Sequence, residues 1–306
     1  MVETTQSSPV FTVLLPIHRS PELLEFSIAS VLAQTQDDFE LFIICDGAPA
    51  ETNDLACDYA KKDNRIKAFC HEKGERYGES YRHAALLEAK GKYIAQIADD
   101  DLWFPDHLEV LESVLKDCDF AHTIHFQIQK DGKGSMYFFD LSDQQTRNRM
   151  ISTQFNFFGP SFAAYRMSAY NSLAEGWAPG PDDVWSDLWM WRKFLNHPDL
   201  TFSTDFRITA ISLPSPLRDE DTIEQRYEEM KKLSNDFKAP DFRSPHWKVM
   251  LSDLAVERNS LMMQLIAERG VIRAVKKISR KLRPWRSVSL VGIAILTICF
   301  IVYMTL

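Results

Sequence analysis

A chain of 306 residues with 45% hydrophobic content can bury a substantial core, as one large domain or two modest ones, and is not disordered. Its formal net charge of −8 argues against nucleic-acid binding over the whole molecule, although the C-terminal stretch is basic. The five cysteines (Cys45, Cys57, Cys70, Cys118 and Cys299) are odd in number and lack CxxC spacing, so they indicate neither a disulfide framework nor a zinc site and read as free thiols in a reducing compartment.

Residues 1–9 are polar, without a charged segment followed by an apolar one, and are expected to be a disordered N-terminus with no cleaved secretion signal. Phe11 to Leu15 forms an apolar run expected to be a buried strand ended by Pro16. Ser20-Pro21-Glu22 marks a helix start, with Ser20 as N-cap and Pro21 in the first turn. A second strand covers Phe39 to Cys45 and stops at Asp46-Gly47. Strand, helix and strand at this spacing make a βαβ unit, whose right-handed crossover places both strands parallel and both ends on one edge. A helix over Asn53–Lys62, a strand over Arg65–Phe69, a polar loop from His71 to Ser80, and a helix over Tyr81–Ala89 closed by Gly91 continue the alternation. The next strand runs from Gly91 into Asp99-Asp100-Asp101. The pattern predicts an α/β fold, an open and mostly parallel sheet flanked by helices, which binds ligands beyond the carboxyl ends of its strands.

Downstream, His107–Leu115 reads as a helix, Phe120–Ile128 as a strand, and Met136–Phe139 as its hairpin partner across Asp131-Gly132-Lys133-Gly134. Gly159–Arg166 is strand-like, and a helix starts at Met167. Residues 177–195 set Asp182, Asp183 and Asp187 among Trp185, Trp189 and Trp191. The chain from Thr222 to Leu282 is charged and largely helical. Residues 287–306 carry no charge, and as a helix would span about 30 Å, the thickness of a bilayer core. Arg273, Lys276, Lys277, Arg280, Lys281, Arg283 and Arg286 precede them, with Trp285 at an interface position. The expected localisation is therefore the membrane, by a single-pass C-terminal anchor whose basic flank keeps the folded part facing the cytoplasm.

The three adjacent aspartates repel one another and need a compensating cation if they leave water together. Hard divalent ions, Mg²⁺ or Mn²⁺, suit oxygen ligands. A solvated acidic turn, with Asp101 or Asp106 capping the next helix, is the other reading of the same residues. No HExxH, GxSxG, GxxxxGK[ST] or GxGxxG pattern supplies a competing chemistry.

Together, Leu15-Pro16-Ile17-His18-Arg19, the strand from Phe39 to Ala48, and Gly91-Lys92-Tyr93-Ile94 leading to Asp99-Asp100-Asp101-Leu102-Trp103-Phe104-Pro105 resemble a family 2 glycosyltransferase with the GT-A fold. The resemblance covers roughly residues 10–215, in the family's order. It implies a GT-A domain over 10–216, with a nucleotide-binding half (10–105) and an acceptor half (106–216), then a helical arm (217–286) and the transmembrane helix (287–306). It also implies an inverting hexosyltransferase-type enzyme that uses a nucleotide-sugar donor and a divalent metal. Asp46 matches the acidic residue that accepts hydrogen bonds from the base or ribose; an ionised carboxylate suits uracil N3–H, so a UDP-sugar is the expected donor. An Asx turn beside Gly47 fits the same residue.

Pro16, His18 and Arg19 would wall the base, and Arg76 and Arg82 fall where the family places basic nucleotide contacts, though either could be an ordinary surface charge. The family's Asp-x-Asp-Asp has Ala98 at its first position here; counting back from Pro105 assigns Asp100 to the metal with Asp101 beside it, and Asp99 to the ribose side. Asp187 is the candidate general base, with Asp182 and Asp183 as rivals and helix capping as the alternative for all three. A glycan or lipid-linked acceptor in surface polysaccharide synthesis, and the membrane itself, are the remaining expected partners; no nucleic acid is. A nucleotidyltransferase and a catalytically silent, membrane-tethered relative are the other two classes.

Overall fold

Four apolar segments build one half of a mixed sheet: β1 (Phe11–Ile17), β2 (Phe39–Asp46), β3 (Ile66–His71) and β4 (Tyr93–Gln96). The computed structural model describes residues 8–130, 134–236, 263–265 and 268–270. The chain divides into two compact units, Met1–Val249 and Met250–Leu306; in the second, the described residues 263–265 and 268–270 are helical and exposed. Among the described residues no helix is long and apolar enough to cross a membrane, and the expected span 287–306 lies outside them, as do most of the expected arm and its basic flank.

β1 lies between β2 and β4, parallel to both, and β3 is parallel to β2. β1 and β2 are buried almost throughout, as continuous apolar strands covered on both faces must be. Helices α1 (Leu24–Leu32), α2 (Ala50–Lys62) and α3 (Glu79–Leu86) make the crossovers. Three expectations change here. Pro16 sits inside β1, paired with Ile44, and does not end it. The Leu14 carbonyl faces β4, where it accepts from Ile97 N, so Pro16, two residues on, turns its missing donor to the same side just past the end of β4. α1 begins after a tight turn in which Leu24 N bonds Pro21 O, so Ser20 does not cap it. Gly91 is no left-handed helix cap; it is buried where a Cβ would lie 2.2 Å from Thr12 N, so close passage across β1 is what demands glycine there.

The second half adds β5 (Leu102–Trp103), α4 (His107–Leu115), β6 (Phe120–Ile128), β7 (Gly134–Ser135), α5 (Gln144–Ser152), β8 (Ala163–Arg166), α6 (Met167–Ser172), α7 (Ser186–Leu195), β9 (Phe202–Ser212) and α8 (Ile223–Asp236). The sheet runs β3-β2-β1-β4-β8-β6-β9-β5, with β7 on β6. β8 is antiparallel to both β4 and β6, which makes the sheet mixed where mostly parallel was expected. The hairpin strand after β6 is only β7, paired at Gln127 and Ile128; Tyr137 and Phe138, expected to extend it, are exposed. Under the sheet, Phe120 packs edge-on against Trp191 and Phe194 of α7, with ring centroids 5.1 Å away in each case. Each such fully buried ring contributes about 1.5–3 kcal/mol, so α7 is held firmly to β6.

Candidate active site

The carboxyl ends of β1, β2 and β4 meet at one edge, and the charged residues collect there. At the end of β2, Asp46 is nearly buried; it accepts from Gly74 N at 2.6 Å and pairs with Lys73. Gly78 passes so close that a Cβ on it would lie 2.8 Å from the Asp46 carboxyl, and its φ of 68° favours glycine in any case. At the end of β1, Pro16 is half-buried and His18 exposed, although burial, Arg19 and Lys73 all act to lower the His18 pKa.

The acidic run itself is buried, with all three aspartates less than a tenth exposed. Arg19 Nε stands 3.0 Å from Asp99 Oδ2, an ion pair without hydrogen-bond alignment, since that buried oxygen has no hydrogen-bond partner. Asp100 Oδ2 accepts from Ser215 Oγ at 2.6 Å and from Arg226 Nη2 of α8 at 2.7 Å, with Arg19 Nη1 at 3.4 Å. Asp101 Oδ1 accepts from Leu213 N at 3.3 Å, and the Asp101 carbonyl from Ser27 Oγ of α1. Burial, and next the neighbouring Asp100, push Asp99 and Asp101 up to about 7. Buried aspartates fixed this way are no solvated turn, and Asp106, which precedes α4, gives it no side-chain cap.

The compensating cations are arginines in this state. Among the described residues no three His, Cys, Asp or Glu side chains form a ready-made metal cage. Mg²⁺ and Mn²⁺ bound through a diphosphate need only one or two carboxylates, and Asp100 and Asp101 supply hard donors for such a shared site, beside the Asp99 oxygen that accepts no hydrogen bond.

Across the cleft, Asp187 opens α7 and accepts from Asn156 Nδ2 at 2.8 Å and from Leu188 N at 2.7 Å. Part of its surface faces a cavity of about 290 Å³, yet the carboxyl is enclosed enough for burial to push its pKa to about 6. Asp101, His125, Ser212, Asn156 and the half-exposed Trp185 line the same cavity. Asp182 and Asp183 are exposed and do not line it. Trp191 belongs to the core, whereas Trp185 is the tryptophan that faces the cavity.

The two other arginines have structural partners. Arg76, itself at a left-handed φ of 51°, donates to the Gly180 and Val184 carbonyls and so straps the loop ahead of α7. Arg82 is buried, stacked 4.2 Å from the Trp177 ring and bonded to Tyr77 O, with its Nε unpartnered among the described residues. Its charge reaches both Asp187 and Asp46, so it joins the fields of the two halves. Ser215, Arg226, Lys73, Asn156 and His125 escaped the sequence reading; only Lys73-Gly74, inside the polar loop after β3, carried a local signal.

A parallel βαβ half with carboxylates at its strand ends, joined through antiparallel strands to a polar and aromatic cavity, defines an α/β protein of the open-sheet class, whose ligands bind beyond the carboxyl ends of the strands. The family model for glycosyl transferase family 2 matches residues 12–174, more than half of the chain, and the chain belongs to that family. An uncharacterized glycosyltransferase of Rickettsia bellii is 35% identical over 124 residues, 40% of this chain and 18% of its own length. TuaG of Bacillus subtilis, whose name assigns it provisionally to teichuronic acid biosynthesis, is 31% identical over 130 residues, 42% of this chain and 51% of its own. The matches thus span about half or less of these relatives' length. Among solved structures, Staphylococcus aureus TarS 1–349 superposes with a TM-score of 0.53 at 18% identity, covering 72% of this chain and 68% of TarS. Its complex with UDP-GlcNAc gives 0.54 at 17%, over 73% and 65%. The fold is the GT-A architecture that the resemblance implied.

Proposed function

We propose that this chain transfers a sugar from a nucleoside diphosphate donor, a UDP-sugar, to a hydroxyl of a glycan or lipid-linked acceptor, with inversion at the anomeric carbon. The observation that carries the reading is that Asp101, from the donor-side acidic run, and Asp187 line one cavity. Asp46, backed by Lys73 and Gly74, would receive the base or ribose, with Pro16 and His18 beside it. Asp100 and Asp101 would hold Mg²⁺ or Mn²⁺, and Asp99 the ribose side. When bound, the divalent ion would offset charge developing on the diphosphate leaving group.

The protein's own part is a single displacement. Asp187 takes the proton of the acceptor hydroxyl, that oxygen forms a bond to the anomeric carbon, and the bond from that carbon to the diphosphate oxygen breaks. A base near pKa 6 is ionised at neutral pH and still basic enough to assist. Trp185 offers a ring face for the acceptor sugar. The UDP assignment is in keeping with the UDP-GlcNAc complex of TarS, and the polysaccharide acceptor with the name of TuaG. Residues 287–306 and their basic flank would anchor the protein with this unit facing the cytoplasm.

Thermal unfolding with a panel of nucleotide sugars, with and without Mn²⁺, tests the reading, because a ligand that binds only the native state raises the melting temperature. One UDP-sugar should do so and release UDP on incubation. A protein that no nucleotide sugar stabilises would end the proposal.

A further inference from the structure

Asp100 is the expected metal ligand, yet its Oδ2 is already crowded by Ser215, Arg226 and Arg19. A carboxylate oxygen offers about two lone-pair sites, so that oxygen has no room for another partner. The arrival of Arg226 is also built in. Its helix is docked by Tyr227 against Phe26 of α1, with ring centroids 5.3 Å apart. The buried Arg218 donates to Glu229 through both Nε and Nη2, at 2.6 Å each, and to the Ile128 carbonyl at 3.2 Å. Met230 and Leu233 are buried on the same helix. Arg226 itself is only 13% exposed, so it is a placed group and not a surface side chain that happens to reach inward.

Formal charge then sets the order in which ligands can enter. With all three carboxylates ionised, the two guanidiniums leave the edge with one net negative charge. A divalent cation alone would turn it net positive beside two fixed arginines, whereas a cation that enters with the two oxyanions of a diphosphate leaves the balance as it was. Charges this close, and largely out of water, are poorly screened. Building on the donor-and-metal reading above, we propose that Arg226 makes metal binding conditional on the nucleotide: it occupies Asp100 until the diphosphate arrives, then exchanges that carboxylate for the diphosphate. Arg226 is thus a positioning residue that couples the two ligands, and α8 is the element that brings it.

The test is Mn²⁺ binding to the full chain, read by the electron paramagnetic resonance signal of free Mn²⁺, with and without UDP. In the wild-type protein UDP should tighten Mn²⁺ binding strongly. In Arg226→Met, Mn²⁺ alone should bind roughly tenfold more tightly, and the enhancement by UDP should shrink by a similar factor, as linkage requires. Arg226→Lys should keep most of the wild-type coupling, and Tyr227→Ala, which loosens α8 without touching Asp100, should shift Mn²⁺ binding in the same direction by less. Unchanged Mn²⁺ affinity in both Arg226→Met and Tyr227→Ala, with UDP still tightening it, would overturn the proposal and leave the metal site standing. If UDP binds but no protein binds Mn²⁺ with or without it, the metal reading itself falls and this inference with it.

Discussion

Asp187 owes its ionisation at neutral pH in part to Asn156, and replacing that asparagine by the similarly sized, apolar leucine isolates the effect. Burial pushes the Asp187 pKa to about 6 against the Leu188 N–H and the Arg82 charge, which favour the ionised form, and the Asn156 amide, donating to Oδ2 at 2.8 Å, adds to them. A hydrogen bond to a charged group contributes about 1.5–3 kcal/mol where water is excluded. One face of Asp187 opens on the cavity, so water screens part of that; a loss of about 1.4 kcal/mol, or one pH unit, is the working figure. Removing the donor raises the pKa, and the acid limb of kcat/KM should move from about 6 to about 7 in Asn156→Leu. At pH 6.5 the ionised fraction falls roughly threefold, and at pH 9 the variant and wild type should converge. The assay is UDP release from the stabilising donor at saturating Mn²⁺, across pH 5 to 9. Asp187→Asn, measured beside it, should lose transfer at every pH with donor affinity nearly intact. An acid limb that does not move in Asn156→Leu, or one that persists in Asp187→Asn, would refute the assignment of the base.

Gly78→Ala should weaken UDP binding by about tenfold or more, since the added methyl must push against the Asp46 carboxyl from a left-handed backbone; isothermal titration with UDP measures it. Mn²⁺ binding in the presence of UDP should weaken as pH falls from 8 to 6, because protons compete for Asp101, whose pKa of about 7 without metal puts that competition in this window. A pH-independent Mn²⁺ affinity over that range would count against this ligand. Deleting residues 287–306 should release the protein from membranes in a flotation assay, unless the basic flank alone retains it.

The sequence made elements of both halves legible where their signals are local. α4 and β6 match their expected ends, since the helix of His107–Leu115 and the alternation in Phe120–Ile128 need no distant partner to be recognised. β9 was missed. Its first half, Phe202–Arg207, includes no buried residue, and only Ile208–Ser212 lies in the core, so the strand is defined by pairing with β6, across an irregularity between Thr123 and His125. The same distance hid part of the site. Asp46 and Asp100 stand at strand ends, where a reader looks for them, but Ser215 and Arg226 reach Asp100 across 115 and 126 residues of chain. Arg76 shows the same reach: read as a nucleotide contact or an ordinary surface charge, its guanidinium donates to carbonyls more than a hundred positions away.

That reach also sets a clock on biosynthesis. Chains emerge N-terminus first, and the early βαβ units can pack as soon as they leave the ribosome. Asp99 to Asp101 would then stand at the edge of a partial sheet with Arg19 as their one guanidinium, until β9 has paired with β6 and α8 has docked. A chain that ended before α8 would therefore be more acidic at that edge than the protein with Arg226 in place.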